Sequence, residues 1–529
     1  LPPLPFYVQI RGEFVGVSRS NAAADVGRET NGRTRNISVG EISGLRVAML
    51  QSNAINESLG LCDLSAHLRQ RGATTRLFLR RDERDLAARL REFAPQLTVV
   101  PCDLLGHNAA LSLAQFAKRT LGDRAATVLG GTHPTFFSNV VERDGVDFAF
   151  AGEAEGVVAE LLAAICDRRD PQDIPNLIVR VNGGVRRNPL RPVIQDLDAM
   201  PLPDRNLYYR YPFMSSFPAK KFATARGCAN SCGYCFNPSY RALLSAGPHF
   251  VRRKSPERVA REIDDVRRQH RLEVVHFSDD IFSTGAAWIE RFAEVYREQV
   301  GLPFSCNAFA STLDENTVRR LKDAGCRILA IGVEVADDRV RRETLNKPVS
   351  LADIERAAAL IKAAGIRLVT FNILGVPWLP PEGDLDTLAL NQQIGAEHTR
   401  VTQLVPFPVS RMAAKLIEDG FLAADYEERI YDVPDIPSWP AATLFRRADP
   451  ERLMRLYWLW ALLLRFRVKK PWARRLINSR WSMVLAPLSF AIGLLAEKRV
   501  FGLGWADGLR YFRHVANPAF KTSNYVSFL

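Results

Sequence analysis

From Arg46 onward the apolar residues fall into short runs separated by stretches of helical spacing. The runs Arg46–Leu50, Thr74–Leu79, Leu97–Val100, Thr127–Leu129 and Val146–Phe150 predict strands. Between them, Leu59–Arg71, Asp82–Phe93, Ala109–Leu121 and Ala154–Ile165 place apolar residues on one helical face. Five short strands alternating with helices predict a doubly wound, Rossmann-like parallel sheet. Such sheets bind ligands beyond the carboxyl ends of their strands. The candidate loops are therefore Gln51–Glu57, Pro101–Asn108, Gly130–Pro134 and Gly152–Glu155.

The alternation pauses over residues 176–215. VRVNGGVRRN reads as a hairpin around Asn182-Gly183-Gly184, and QDLDAMPLPDRNLY is punctuated by proline like a linker. It resumes at Phe222 with longer units. Helices are predicted over Val251–His270, Trp288–Gln299, Leu313–Ala324, Ser350–Ala364 (with Ser350 as N-cap) and Leu385–Gly395. The strands beside them include EVVHFSDDIF, PFSCNAFAST, CRILAIGVEVA, IRLVTFNILGVP and VTQLVPFPVSR. Six strand–helix units fit a partial (β/α)6 barrel, whose chemistry sits at the carboxyl ends of its strands.

Outside these two regions the pattern changes. Residues 1–44 are rich in Arg, Asn, Gly and Ser without periodicity and read as an irregular extension. The opening LPPLPFYVQIRGEF lacks the basic-then-apolar order of a secretory leader, so a cytoplasmic setting is expected. The chain carries +13, yet Arg446–Leu529 alone holds 16 Lys and Arg against 4 Asp and Glu. The body is thus near neutral, which argues against a nucleic-acid groove across it. The same segment holds five of the eight tryptophans, in stretches such as LYWLWALLLRFRVKK. Arg and Lys with Trp, Phe and Leu suit either contact with a membrane surface or a helical lid on the barrel. Its longest uncharged run, Trp481–Ala496, contains Pro487 and is short for a spanning helix. The expected division is 1–44 extension, 45–175 first sheet, 176–215 linker, 216–415 barrel and 416–529 a basic, Trp-rich helical region.

The chemistry concentrates in FATARGCANSCGYCFN, where Cys228, Cys232 and Cys235 are spaced C-x-x-x-C-x-x-C. A structural zinc would want a fourth ligand nearby, and the nearest candidates, His249 and Cys306, are distant in sequence. Nothing suggests an oxidising compartment for disulfides. Three thiolates can hold three irons of a cubane cluster and leave the fourth iron open to a substrate.

This loop, with Tyr234 just before its third cysteine, resembles that of the radical S-adenosylmethionine (SAM) enzymes. The resemblance covers about Arg46 to Arg411 and is nearest to the members with an N-terminal cobalamin (B12) domain. It implies a 4Fe–4S cluster on the three cysteines, with SAM on the open iron and cleaved to a 5'-deoxyadenosyl radical. It also implies SAM contacts at Tyr234, Asp279, Asp280, Asn307, Ser311, Glu334 and Asn372. Each has a plainer alternative: Asp280 could cap the helix near Ala286, and Glu334 could pair with Arg342 or Lys347. Paired glycines after a strand let the backbone approach a flat ligand. The resemblance accordingly implies cobalamin at Ser52, Asn53, Gly130, Gly131, Thr132, His133, Gly152 and Glu153. The D-x-H-x-x-G spelling that supplies a cobalt ligand is absent. Asp63 and His67 have the wrong spacing and lie in a helical pattern, so cobalamin is expected without a protein His ligand.

The function implied is a cobalamin-dependent radical SAM methyltransferase acting on an unactivated carbon through methylcobalamin. The alternative is a non-methylating oxidative cyclase resembling anaerobic Mg-protoporphyrin monomethyl ester cyclase. Both need an external electron donor and a small-molecule substrate, and the basic apolar tail would suit a lipophilic or acidic one. Tyr234, Asp279, Asp280 and Glu334 together speak against a sensor or scaffold without turnover.

Overall fold

The computed structural model describes residues 42–54, 57–104, 106–244, 250–432 and 449–515. The expected extension over 1–44 lies almost wholly outside them.

The first sheet has seven strands: β1 (Arg46–Gln51), β2 (Thr74–Leu79), β3 (Leu97–Pro101), β4 (Ala126–Gly130), β5 (Phe148–Phe150), β6 (Leu177–Val181) and β7 (Gly184–Arg187). Their order is β2-β1-β3-β4-β5-β6-β7. The first five are parallel, and β6 and β7 add antiparallel at the edge. Helices Leu59–Gln70, Leu86–Phe93, His107–Leu121 and Glu155–Cys166 cover the sheet. Val47, Met49, Val99 and Val128 pack on one face, and Ala48, Leu50, Val100 and Leu129 on the other. Strands apolar on both faces are what a doubly covered sheet requires. The sheet therefore runs past residue 175: the Asn182-Gly183-Gly184 hairpin belongs to it rather than to a linker.

The second sheet has β8 (Ala219–Phe222), β11 (Val274–Phe277), β12 (Phe304–Ala308), β13 (Cys326–Glu334), β14 (Arg367–Leu374) and β15 (His398–Gln403), in order β15-β14-β13-β12-β11-β8, all parallel. Two short strands, β9 (Ala225–Arg226) and β10 (Arg252–Arg253), pair antiparallel beside it. The expected helix from Val251 begins instead at Pro256. Ser255 caps it by accepting from the Arg258 amide, and a residue before proline is steered out of helical geometry, which frees Arg252–Arg253 to pair with β9. Ser350 forms the expected cap, as a reciprocal box with Asp353.

Alternation along the barrel strands sorts the side chains. Phe222, Phe277, Phe304, Cys306 and Leu329 pack outward beneath the helices. Lys221, His276 and Ser305 stand side by side in register on the opposite face, toward the bore. The floor of the bore is filled by the C-terminal region: Val500, Phe501, Leu503 and Tyr511 pack on Ile328, Ala330 and Val369.

Candidate active site

The cysteine loop is fixed from several sides. The Gly233 amide donates to the Leu345 carbonyl (2.8 Å), and the Met412 amide donates to the Gly233 carbonyl (2.8 Å). Arg241 donates to the Ala229 carbonyl (2.5 Å) and to Ser231 Oγ (2.9 Å). Burial raises the thiol pKa of Cys228, Cys232 and Cys235, the last to about 12, and Cys235 also feels the charges of Cys232 and Cys228. The three sulfurs thus share one loop and one electrostatic neighbourhood. Among the described residues no group of three or more His, Cys, Asp or Glu could hold a single metal ion. A cubane presents three separate irons to three thiolates, so its ligands do not converge on one point as the ligands of a single zinc must.

Behind this loop stands a charged triad. Tyr234 donates to Glu334 Oε1 (2.9 Å), and Lys347 Nζ lies 2.6 Å from the same oxygen and 3.5 Å from the Tyr234 hydroxyl. Both charged side chains are more than nine-tenths buried. A Cβ at Gly332 would overlap Lys347 Nζ and the Glu334 carboxylate, so this glycine makes room for the pair. Glu334 itself adopts φ 62° at the end of β13, a conformation that costs a non-glycine residue about 1–3 kcal/mol. Arg342 pairs with Asp338 instead.

The paired aspartates divide their work. Asp279 is buried and accepts from the Thr224 amide (2.9 and 3.1 Å) and from Thr224 Oγ1 (2.8 Å). It therefore braces the chain leading to the cysteines rather than presenting a carboxylate. Asp280 is the exposed one: it accepts from Asn237 Nδ2 (3.1 Å), and its charge is felt at Cys228 and Cys235. Gly285, not Asp280, is the N-cap of the next helix. Asn307 Nδ2 donates to the Asp279 carbonyl (3.1 Å), while its Oδ1 is buried with no hydrogen-bond partner. Ser311 is exposed in a short turn. Asn372 is a correction: it shares with Thr370 the face toward helix Gly383–Ile394, where Asn391 and Thr370 engage its amide, so it cannot reach the bore.

At the first sheet's edge, three of the expected cobalamin residues have partners within the chain. Gly131, at φ 129°, is required by chain packing: a Cβ there would sit 2.6 Å from the Cys102 carbonyl oxygen. His133 is fully buried, stacked on His107 and Phe137. Its Nδ1 lies 3.2 Å from the Leu104 carbonyl and its Nε2 3.4 Å from the Tyr431 hydroxyl. Burial, then the His107 ring, hold its pKa down to about 3, so it is a neutral ring turned inward. Glu153 accepts from Arg226 (3.1 Å), Arg252 (2.7 Å) and the Ile194 amide (2.7 Å), and is wholly engaged there. Ser52 and Gly152 lie in the edge loops, Thr132 opens the short helix Thr132–Phe136, and buried Asn53 has an Oδ1 without a hydrogen-bond partner. His67 is partly buried on its helix and bonds to the Asp63 carbonyl (3.0 Å).

One residue joins the two regions. Arg226, in β9 just before the cysteines, pairs with Asp63 (2.8 Å), Glu153 (3.1 Å) and Glu155 (2.6 Å) of the first sheet's helices and loops. Burial opposes ionisation of Glu155, but Arg226 outweighs it and holds the carboxyl below its ordinary range. At Asp63 burial prevails and raises the pKa.

Comparison with known proteins matches residues 223–389 to the radical SAM superfamily and residues 45–162 to the B12 binding domain. The chain carries a B12-binding domain followed by a radical SAM domain. It is 25% identical over 342 residues to an uncharacterized methyltransferase of Pyrococcus horikoshii, covering 64% of this chain and 73% of that one. It is 24% identical to the anaerobic magnesium-protoporphyrin IX monomethyl ester cyclase of Synechocystis, covering 47% of this chain and half of that one. Its fold is that of the radical SAM methyltransferase TsrM of Kitasatospora setae, whose structure holds cobalamin and a 4Fe–4S cluster (TM-score 0.62, 17% identity, 86% of this chain and 99% of that one).

The residues present fit the cofactors of this family. The three thiols of the fixed loop suit the cluster. The orphaned Oδ1 of Asn307 offers an acceptor for SAM, and that of Asn53 an acceptor for the amides that fringe a corrin. Sequence reasoning missed the Arg226 partnership, since its partners are distant in the chain. It also missed Lys221 and His276, whose common register was legible only once the strands were paired.

Proposed function

We propose that this enzyme is a cobalamin-dependent methyltransferase that acts on an unactivated carbon of a small molecule. The observation that carries the reading is the Arg226 junction. One guanidinium binds the strand feeding the cysteine loop to three carboxylates at the edge of the B12 sheet. Two cofactor loops held in one rigid unit are what a reaction needs when hydrogen abstraction and group transfer must reach the same carbon. Cluster and SAM together supply the hydrogen abstraction, and cobalamin supplies the methyl transfer.

The chain's own residues provide the binding room. Lys221 faces the bore and makes no hydrogen bond or ion pair among the described residues, and burial lowers its pKa. Beside it, His276 Nδ1 meets Ser305 Oγ (2.9 Å) while its buried Nε2 has no partner. Burial, then the charges of Lys221 and Arg400, hold that imidazole neutral with a pKa of about 3. These groups suit a polar substrate bearing an acceptor for Lys221. The remaining partners are an external electron donor and, through the C-terminal helices, a membrane surface. An oxygen-labile cluster suits a reducing cytoplasm.

The test follows the SAM methyl group. With methyl-labelled SAM and an anaerobically reconstituted enzyme, the label is expected in a methylated product, together with 5'-deoxyadenosine. A product oxidised or cyclised without label would overturn methylation and favour the cyclase reading.

A further inference from the structure

We propose that the helix Trp481–Phe501 is a docking face for an anionic lipid bilayer, lying in the plane of the membrane interface without crossing it. The proposal rests on the membrane contact named above and specifies its face and lipid chemistry. It is independent of which reaction the enzyme runs.

The helix is inside out for a protein surrounded by water. Its buried positions before the last turn are Ser482 and Ser489, whereas Trp481, Met483, Val484, Leu488, Phe490 and Leu495 are each more than half exposed. No charged residue interrupts Trp481–Ala496. Scattered exposed apolar residues are normal, but a contiguous exposed face marks a contact. Among the described residues twelve large apolar side chains are exposed, and ten of them lie between Phe466 and Leu509. The inner face is well seated: the Leu462 amide donates to Ser489 Oγ (3.1 Å), and Gly493 lets Ala461 come close. The far end is pinned to the barrel by Glu497 on Arg400 (3.0 Å) and by Val500 and Phe501 in its floor. The outward face is thus a fixed feature of the fold.

Charge selects the occupant. Between Arg452 and Arg510 the only acidic residues are Glu497 and Asp507. Both turn inward, to Arg400 (3.0 Å) and Arg271 (3.0 Å). The outer surface keeps cations: Lys469, Arg475, Arg480 and Arg499 are exposed. Exposed tryptophans flank the apolar face, with Arg475 over Trp472 (4.8 Å) and Lys498 over Trp505 (4.0 Å). Tryptophan and snorkelling cations bordering an apolar strip match the headgroup level of an anionic bilayer. A second copy of this chain would bring the same cations face to face. Among the described residues no helix is long and apolar enough to cross a membrane. The uncharged stretch spans roughly 24 Å at the ordinary helical rise, against about 30 Å of hydrocarbon. A helix of that kind lies in the interface.

The experiment is flotation of the full-length, cofactor-loaded enzyme with vesicles of phosphatidylcholine, alone or with about one third phosphatidylglycerol. Floating with the anionic vesicles, at least tenfold more than with the neutral ones and less at high salt, is the expected result. Leu488→Glu with Phe490→Glu should lower that binding at least tenfold with iron and cobalt content unchanged. Val251→Glu, an exposed apolar residue elsewhere, should not. Arg475→Glu with Arg480→Glu should erase the preference for anionic lipid. Failure to float, equal binding to both vesicles, or undiminished binding of the Leu488/Phe490 variant would each overturn the proposal. So would a dimer, seen by light scattering, that this variant splits, since the face would then belong to a second copy. Methyl transfer is read separately, so failure here leaves the proposed reaction standing.

Discussion

The loop after β4 of the B12 sheet and the carboxyl edge of the barrel differ in their electrostatics. In the first, buried His133 is a neutral ring: it is stacked on His107, with its pKa held near 3. At the carboxyl edge of the barrel buried Glu334 is ion-paired with Lys347 and accepts from Tyr234, and the buried Asp279 carboxyl accepts from Thr224. The difference follows the ligands that each edge would take. A corrin is large and flat and asks for shape and a few amide partners, whereas SAM carries an ammonium, a carboxylate and a sulfonium. The barrel edge is therefore organised by ions, and the loop after β4 of the B12 sheet by packing. The junction between them is itself ionic, and a guanidinium suits several carboxylates at once better than an ammonium does.

If that contrast is right, the barrel edge is the more fragile under substitution. The largest effect is expected for Cys232→Ala. Removing one of three cluster thiolates should abolish cluster assembly and deoxyadenosine formation, read as iron content and nucleoside yield. A variant still forming deoxyadenosine would break the cluster assignment. Next comes Arg226→Met, which leaves Asp63, Glu153 and Glu155 together without their shared cation. Stripping one partner from a buried ionic cluster costs about 3–5 kcal/mol. Denaturant unfolding should show a loss of that order. An unchanged midpoint would mean that the two sheets are held mainly by apolar contacts.

Glu334→Gln is expected to be milder. It keeps the shape and a hydrogen-bond acceptor for Tyr234 but removes the countercharge of Lys347. A loss of about 2 kcal/mol is expected, with deoxyadenosine formation down roughly tenfold at unchanged iron content. If SAM turnover were unaffected, the triad would be only a structural pair beneath the loop.

The same contrast explains what could be read from the chain. Both sheets were legible because short apolar runs alternate with helical stretches, and the cysteine spacing marked the cluster loop. Boundaries were less so where a proline or a cap decides them, as at Ser255–Pro256, and the β6–β7 hairpin read as linker because its pairing partner lies elsewhere. Site residues split along the line between strand end and strand interior. Glu334 stood out because a carboxylate after an apolar strand needs a partner, and Lys347 was one of the two partners foreseen. Asn372 and His133 were implied only by the resemblance of the segments around them. What their side chains meet is set by the facing helix and by Tyr431, nearly 300 positions away in the latter case.

The effect that is smallest at neutral pH sharpens the neutral side of the comparison. His133 has a folded-state pKa near 3, below its ordinary 6.5, because burial and then His107 disfavour its charged form, with Arg143 adding to them against the Leu104 carbonyl. Protonation therefore favours the unfolded chain. The stability His133 contributes is fully present above about pH 6.5 and is lost as pH falls from there toward 3, at about 1.4 kcal/mol per pH unit. His133→Gln should flatten the acid limb of an unfolding-versus-pH curve by one proton, while cobalamin content stays within about twofold of the parent. Cobalamin lost together with the slope would mean that the ring reaches the corrin, and the B12 edge would then be organised by a ligand rather than by packing. Cobalamin kept with the slope removed leaves His133 as a wall of the site, neutral because it is buried beside His107.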